Sequence, residues 1–303
     1  SKQASKQAIK QASKQKQRKN CLGPAADSPE RPNIQALRGL DQPSEAGPDP
    51  TQHANDQHLE WSMLPPGASV QMALPDGQNT QRTFVLGTDR FGRDYFSRIA
   101  AGSGLSLAVG LVAVLLSLLI GIPLGALAGY LGGGFDAAVS WLLQVVWSIP
   151  TLLLVLALTL AFGKGFEQVF LAIGLSMWVE VARVVRGQVI ALRNVEWVEA
   201  GRVLGLSTPR IVFLHILPNL TGPIAVIASA NFAAAILIEA GLSFMGVGAQ
   251  IPMPSWGNLI RDHYGAILTG HAHLALVPGA CIVSLVLAFN ALSNAFARHS
   301  AQR

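Results

Sequence analysis

The residues best suited to chemistry fall in a few short segments. One runs Glu196-Trp-Val-Glu199-Ala200-Gly201-Arg-Val-Leu-Gly205, continues Leu-Ser-Thr-Pro-Arg-Ile-Val-Phe-Leu, and ends His215-Ile216-Leu217-Pro218-Asn219. A second set, Asp262 with His263, His271 and His273, holds metal-ligating side chains. His-x-His in an exposed loop recurs by chance and gives no defined coordination geometry, so no metal is assigned. Two cysteines, Cys21 and Cys281, exclude a disulfide framework and a Cys-rich metal site. Lys164 is the only lysine beyond residue 19. A phosphate-binding loop ending there fails, because Leu158 and Gly165 occupy positions that need Gly and Ser or Thr. The chain therefore does not hydrolyse ATP itself, no catalytic residue is assigned, and it is not read as an enzyme.

Two further sets are charged residues near apolar runs. Glu239 falls inside an apolar run, where an acid is by default a candidate pathway group. A structural helix-end role beside Gly241 and Ser243 stays open. Asp89, Arg90, Arg93 and Asp94 precede the first apolar run and read as an ion-paired turn that organises the outer face.

What must position these residues is a set of membrane helices. Of the 303 residues, 50% are hydrophobic and only 13% charged, about half the charge of an ordinary soluble surface. Five apolar runs, at about 104–129, 138–162, 168–187, 222–246 and 274–296, are long enough to cross a hydrocarbon core of roughly 30 Å. The first two contain no charged residue, which no soluble bundle would keep on every helix face. Glu180, Arg183 and Arg186 make the third the least apolar. The predicted fold is an all-α polytopic bundle with two short helices, joined at Gly205, between the third and fourth spans. Trp197, Val198 and Leu204 offer apolar contacts there, Gly205 stops the first helix, and Ser207-Thr-Pro209 restarts the second. Gly121, Gly125, Gly129 and Gly133, four residues apart, predict a close helix crossing; the abundance of glycine in membrane helices is the plainer alternative.

The polar half is different. Residues 1–83 read as a polar, largely disordered tail or external segment, and 84–303 as the transmembrane domain. Seven of the 22 Lys and Arg residues lie in the first 19 positions, so the net charge of +5 is a tail effect on a body of −2. No nucleic-acid partner follows from it. Arg193, Arg202 and Arg210, with Arg183 and Arg186 just before them, place the 187–219 segment on the cytoplasmic side. Walking back over the three preceding spans puts residues 1–99 outside, with no apolar segment to export them. The expectation is that a preceding span is missing, or that the first residues are not native to the protein.

The same residues carry a resemblance. Glu199, Ala200, Gly205, Leu217 and Pro218 match the signature of the inner-membrane permease subunits of ATP-binding cassette importers, with Gly201 in place of a second alanine. His215, before Ile-Leu-Pro-Asn, resembles the dipeptide and oligopeptide branch. So do Leu86-Gly-Thr-Asp-Arg-Phe-Gly-Arg-Asp94, Gly129-Tyr-Leu-Gly-Gly133, Glu239-Ala-Gly-Leu-Ser-Phe-Met-Gly246 and Pro254-Ser-Trp-Gly-Asn258. The resemblance covers about residues 84–297, and the family has one further span before it.

The resemblance implies a multi-pass subunit of the bacterial inner membrane that forms a translocation path. Its partners would be a second permease subunit, two cytoplasmic ATP-binding subunits and an external solute-binding protein, with lipid around the spans. It implies no cofactor bound by this chain, since the partner uses the ATP. The residues around Glu196, Glu199 and Gly205 would dock in an ATPase cleft; a solvated helix face is the alternative for Glu199. Peptides are the implied substrates, with nickel, glutathione or another small solute as alternatives. An ATP-independent carrier would need paired acids within spans, and a membrane-anchored binding module would need a globular core in residues 1–99.

Overall fold

A computed structural model describes residues 54–73, 79–163, 166–248 and 253–301. The basic tail, Cys21, Lys164 and Arg303 lie outside the described residues. Among the described residues eight helices carry the fold: α1 (Tyr95–Leu131), α2 (Gly133–Trp147), α3 (Thr151–Phe162), α4 (Phe166–Leu192), α5 (Glu196–Val203), α6 (Thr208–Phe244), α7 (Trp256–His263) and α8 (His273–Ala301). Before them, β1 (Ala68–Ala73) pairs antiparallel with β2 (Asn79–Phe84), Ala68 opposite Phe84. This hairpin occupies a stretch whose composition pointed to irregular chain.

Four helices, α1, α4, α6 and α8, are each long and apolar enough to cross a membrane, and α2 with α3 makes a fifth crossing if the pair is one span. That second crossing differs from the straight run expected over 138–162. It breaks at Ser148-Ile149-Pro150 and turns by 90°. Proline has no N–H to donate and pushes the residue before it out of the helical region. Helix α2 packs beside Ala128 of α1 and Ala182 of α4, while α3 packs beside Val109 of α1 and Leu242 of α6.

The seam between α1 and α4 is closely packed along its length. A Cβ on Gly121 would lie 2.6 Å from the Val181 side chain, one on Gly125 only 2.4 Å from the Ala182 carbonyl, and one on Gly129 2.7 Å from the Arg186 carbonyl. These contacts advance in step along both helices, so α1 and α4 run parallel. In lipid no hydrophobic effect draws helices together, and close backbone approach supplies the van der Waals contact instead. Gly133 stands apart from the series: it opens α2, with nothing near its Cβ position.

Helix α4 also runs farther than its apolar run suggested, to Leu192. Its arginines are matched from α2. Arg186 makes a bidentate pair with Asp136, at 2.5 and 2.8 Å, and the Arg183 guanidinium stacks 3.5 Å over the Trp147 ring. Paired this way, the charges are compatible with a crossing helix.

Helix α6 corrects the expectation of two separate short helices. It runs unbroken from Thr208 into the fourth span, starting α-helical, widening to a π-helix over Ile211–Ile216 and tightening over Leu217–Leu220. Pro218 causes this, since its ring cannot donate to the Leu214 carbonyl and crowds it. The Asn219 amide donates to the His215 carbonyl at 2.7 Å, and the His215 ring nitrogen Nδ1 lies 3.0 Å from the Arg210 carbonyl. Both side chains thus serve backbone groups in the distorted turn.

Candidate functional site

The functional candidates separate into two groups at opposite ends of the bundle. Helix α5 and the start of α6 lie at the end where α1 and α4 finish. Asp89, Arg93, Asp94 and Glu239 lie at the end where α1 begins and α6 finishes.

Helix α5 is a knob set on the bundle by one face. Val198 and Gly201, three residues apart, turn inward. Val198 makes its apolar contacts inward, in a buried cluster with Val185, Val189, Ile211 and Ile216. A Cβ on Gly201 would sit 3.3 Å from the Leu206 side chain, a close contact that Leu206 would have to yield to. Glu196, Trp197, Glu199, Ala200 and Leu204 are exposed, as is Val203. Two glutamates in the first turn suit the positive end of the helix dipole.

Gly205 ends this helix. Its φ of +80° is a conformation that side chains disfavour, although the space around it is open. The Gly205 N–H donates to the Arg202 carbonyl at 3.0 Å and the Leu206 N–H to the Gly201 carbonyl at 3.1 Å, the hydrogen-bond pair of a Schellman stop. Ser207 follows in extended backbone at the N-cap of α6 with no side-chain cap bond, and Pro209 sits in the first turn. Leu217 is half-buried and Pro218 exposed.

Sequence reasoning gave the arginines here only an orienting role, and two of them also hold the knob in place. Arg202 donates to the Tyr130 hydroxyl at 3.0 Å and to the Arg193 carbonyl at 3.1 Å; Arg193 donates to the Gly129 carbonyl at 3.2 Å. Tyr130 lies 72 positions from Arg202, and no local pattern announces that contact.

At the other end, the Asp89 turn is ion-paired, with Asp89 and Arg93 buried and Arg90 exposed. The Asp89 carboxylate is fully buried and accepts from the Arg93 side chain at 2.7 Å and from the Phe91 and Arg93 amides at 2.8 and 3.0 Å. Arg98 approaches it at 3.8 Å, while Arg90 stacks on Phe91. Asp94 stands at the N-cap of α1, 3.8 Å from Arg82, and accepts from the Ser97 hydroxyl. Tyr95 donates to the Leu274 carbonyl and Trp256 to the Ile99 carbonyl, tying this turn to α7 and α8. Glu239 is sealed in the same region, accepting from the Ser243 hydroxyl at 2.6 Å. Gly257 of α7 presses on the Ala240 backbone beside it.

The histidines do not converge. His263 is buried with Nδ1 at 2.9 Å from the Leu259 carbonyl and its ring edge-on to Tyr95; burial lowers its pKa. His271 and His273 have ring centroids 6.3 Å apart. Among the described residues, no three or more His, Cys, Asp or Glu side chains are grouped to hold a metal ion.

Fold and site together define a multi-pass helical membrane protein with a polar knob on one face of its bundle. The family of binding-protein-dependent transport system inner membrane components matches over residues 121–303, and the chain belongs to that family. It is therefore a transport component, not an enzyme. The dipeptide transport system permease protein DppC of Bacillus subtilis is 39% identical over 209 residues, 69% of this chain and 65% of the relative. The oligopeptide transport system permease protein OppC of Escherichia coli K12 is 39% identical over 235 residues, 78% of this chain and 74% of that protein. The chain thus spans about two thirds to three quarters of the length of these relatives. In fold it is similar to a chain of the MetNI methionine ABC transporter solved in inward facing conformations, with a TM-score of 0.56 and 20% identity over 67% of this chain and 96% of that one.

Proposed function

We propose that this chain is a path-forming permease subunit of an ATP-driven importer for dipeptides or oligopeptides in the bacterial inner membrane. The observation that carries the reading is α5. It is anchored by Val198 and Gly201, capped at Gly205, and turns Trp197, Glu199, Ala200 and Leu204 outward. A short rigid helix with an exposed apolar stripe and flanking acids suits the cleft of a partner protein. The partner is a cytoplasmic ATPase, two copies of which would drive the spans between inward- and outward-open states by rigid-body repacking. A second permease subunit and an external solute-binding protein complete the assembly, and the α5 end faces the cytoplasm. Glu199 and Glu196 flank the docking stripe, and the bend at Leu217-Pro218 links the knob to the fourth span. The residues around Asp89, Arg93, Asp94 and Glu239 brace the outer face.

Peptides are favoured because relatives named for dipeptide and oligopeptide transport align over most of the chain. Glutathione is the second reading, supported by 37% identity over 209 residues to the glutathione transport system permease protein GsiD of Pectobacterium atrosepticum. Co-purification with a cytoplasmic ATP-binding subunit tests the assembly. The complex is expected to survive detergent extraction, and a chain that purifies alone while still catalysing uptake in vesicles would refute it.

A further inference from the structure

The α5 end holds a groove of about 520 Å³ that the docking stripe does not use. It opens between the last turn of α1, the α4–α5 link and the first turns of α6. Tyr130, Arg193, Asn194, Arg202 and Thr208 form its polar wall. Leu131, Leu206 and Ile211 form an apolar one.

Its two guanidiniums are held by neutral groups, and the nearby Asp136, whose charge reaches Arg193, is already taken up by Arg186. A guanidinium carries five N–H donors. Between them Arg193 and Arg202 use three, all on neutral acceptors: the Gly129 and Arg193 carbonyls and the Tyr130 hydroxyl. Among the described residues neither has a carboxylate within ion-pair distance, in contrast to Arg186, which is satisfied by Asp136. Capping the C-terminal carbonyls of α1 accounts for the single bond from Arg193 to Gly129 but not for the remaining donors. Two fixed forks in one groove, with a phenol, an amide and a hydroxyl beside them, match an anion with several oxygen acceptors, and phosphate is the common one.

The position of the groove selects the source. Tyr130 and Leu131 end the first span, and the Leu131 side chain in the apolar wall is exposed. A basic groove at the end of a span, with an apolar wall, meets both the headgroup and the glycerol region of a lipid. We propose that this groove binds the phosphate of an anionic phospholipid, which then braces the knob against α1.

The test is native mass spectrometry of the full chain released from nanodiscs of equal phosphatidylglycerol and phosphatidylcholine. The wild type is expected to retain phosphatidylglycerol over phosphatidylcholine by at least about fivefold, the effect of one arginine at a membrane surface. Arg193→Gln with Arg202→Gln should abolish that enrichment, the paired lysine variant should keep most of it, and Arg210→Gln, outside the groove wall, should leave it intact. Should the double variant fail to fold, Arg202→Gln alone, at an exposed position, must still reduce the enrichment. Equal retention of both lipids by the wild type, or enrichment unchanged in the arginine variants, would overturn the proposal. So would full displacement of the lipid by millimolar inorganic phosphate, which would make free phosphate the ligand.

Discussion

At Asp89 one carboxylate answers two arginines in a buried turn, with Arg93 at 2.7 Å and Arg98 at 3.8 Å. Asp89→Asn keeps the shape but leaves both guanidiniums without their counter-charge. Breaking a buried pair from one side costs about 3–5 kcal/mol. Thermal unfolding of the purified protein should show a large loss, whereas Glu60→Gln, on an exposed residue, should change little. His263 adds a pH signature. Burial holds its imidazole neutral where a free histidine, pKa about 6.5, takes a proton. As pH falls the unfolded chain binds the proton first, so this contribution to stability is complete above about pH 6.5 and declines below it. In His263→Gln the unfolding temperature should vary less between pH 7 and pH 5 than in the wild type; an unchanged slope would remove His263 as its source. At this scale the sequence was legible where chemistry is local. Gly205 and Gly201 each act within a turn, and their residue types state their roles. Arg202 with Tyr130 and Arg186 with Asp136 join residues 72 and 50 positions apart, and nothing in the local pattern pairs them.

The helices themselves were mostly visible, because a crossing requires an apolar run of known length. Direction was not. The charge-free run around Pro150 reads as one span by hydropathy, yet Pro150 turns it by 90°. Continuity was hidden in the opposite sense: Gly205 and Pro218 both look like breaks, but only Gly205 ends a helix. The α1–α4 seam gives the sharpest test of element packing. Gly125→Ala puts a methyl 2.4 Å from a backbone carbonyl that cannot move alone, whereas Gly133→Ala meets nothing within 4 Å. Overpacking costs about 1–3 kcal/mol. Gly125→Ala should lower the unfolding temperature well beyond Gly133→Ala, which carries only the strain of a positive φ. Equal effects would mean that the glycines are conformational and the close approach is incidental.

Across the whole molecule, the ordered pattern from Asp89 to Asn258 is what made the family legible from residues alone, because each motif marks a helix end or a crossing point. The two ends it defines do different work. One is braced by buried ion pairs and by α7; the other presents α5 through a single glycine-capped turn. The central claim is that α5 transmits a partner's ATP hydrolysis to the spans. Gly205→Asp tests it most directly, since the position is exposed, has open space and depends on a left-handed backbone. The measurement is substrate-stimulated ATPase activity of the reconstituted assembly, with membrane insertion followed in parallel. Insertion should be normal and the stimulation lost; normal insertion with full stimulation would contradict the account.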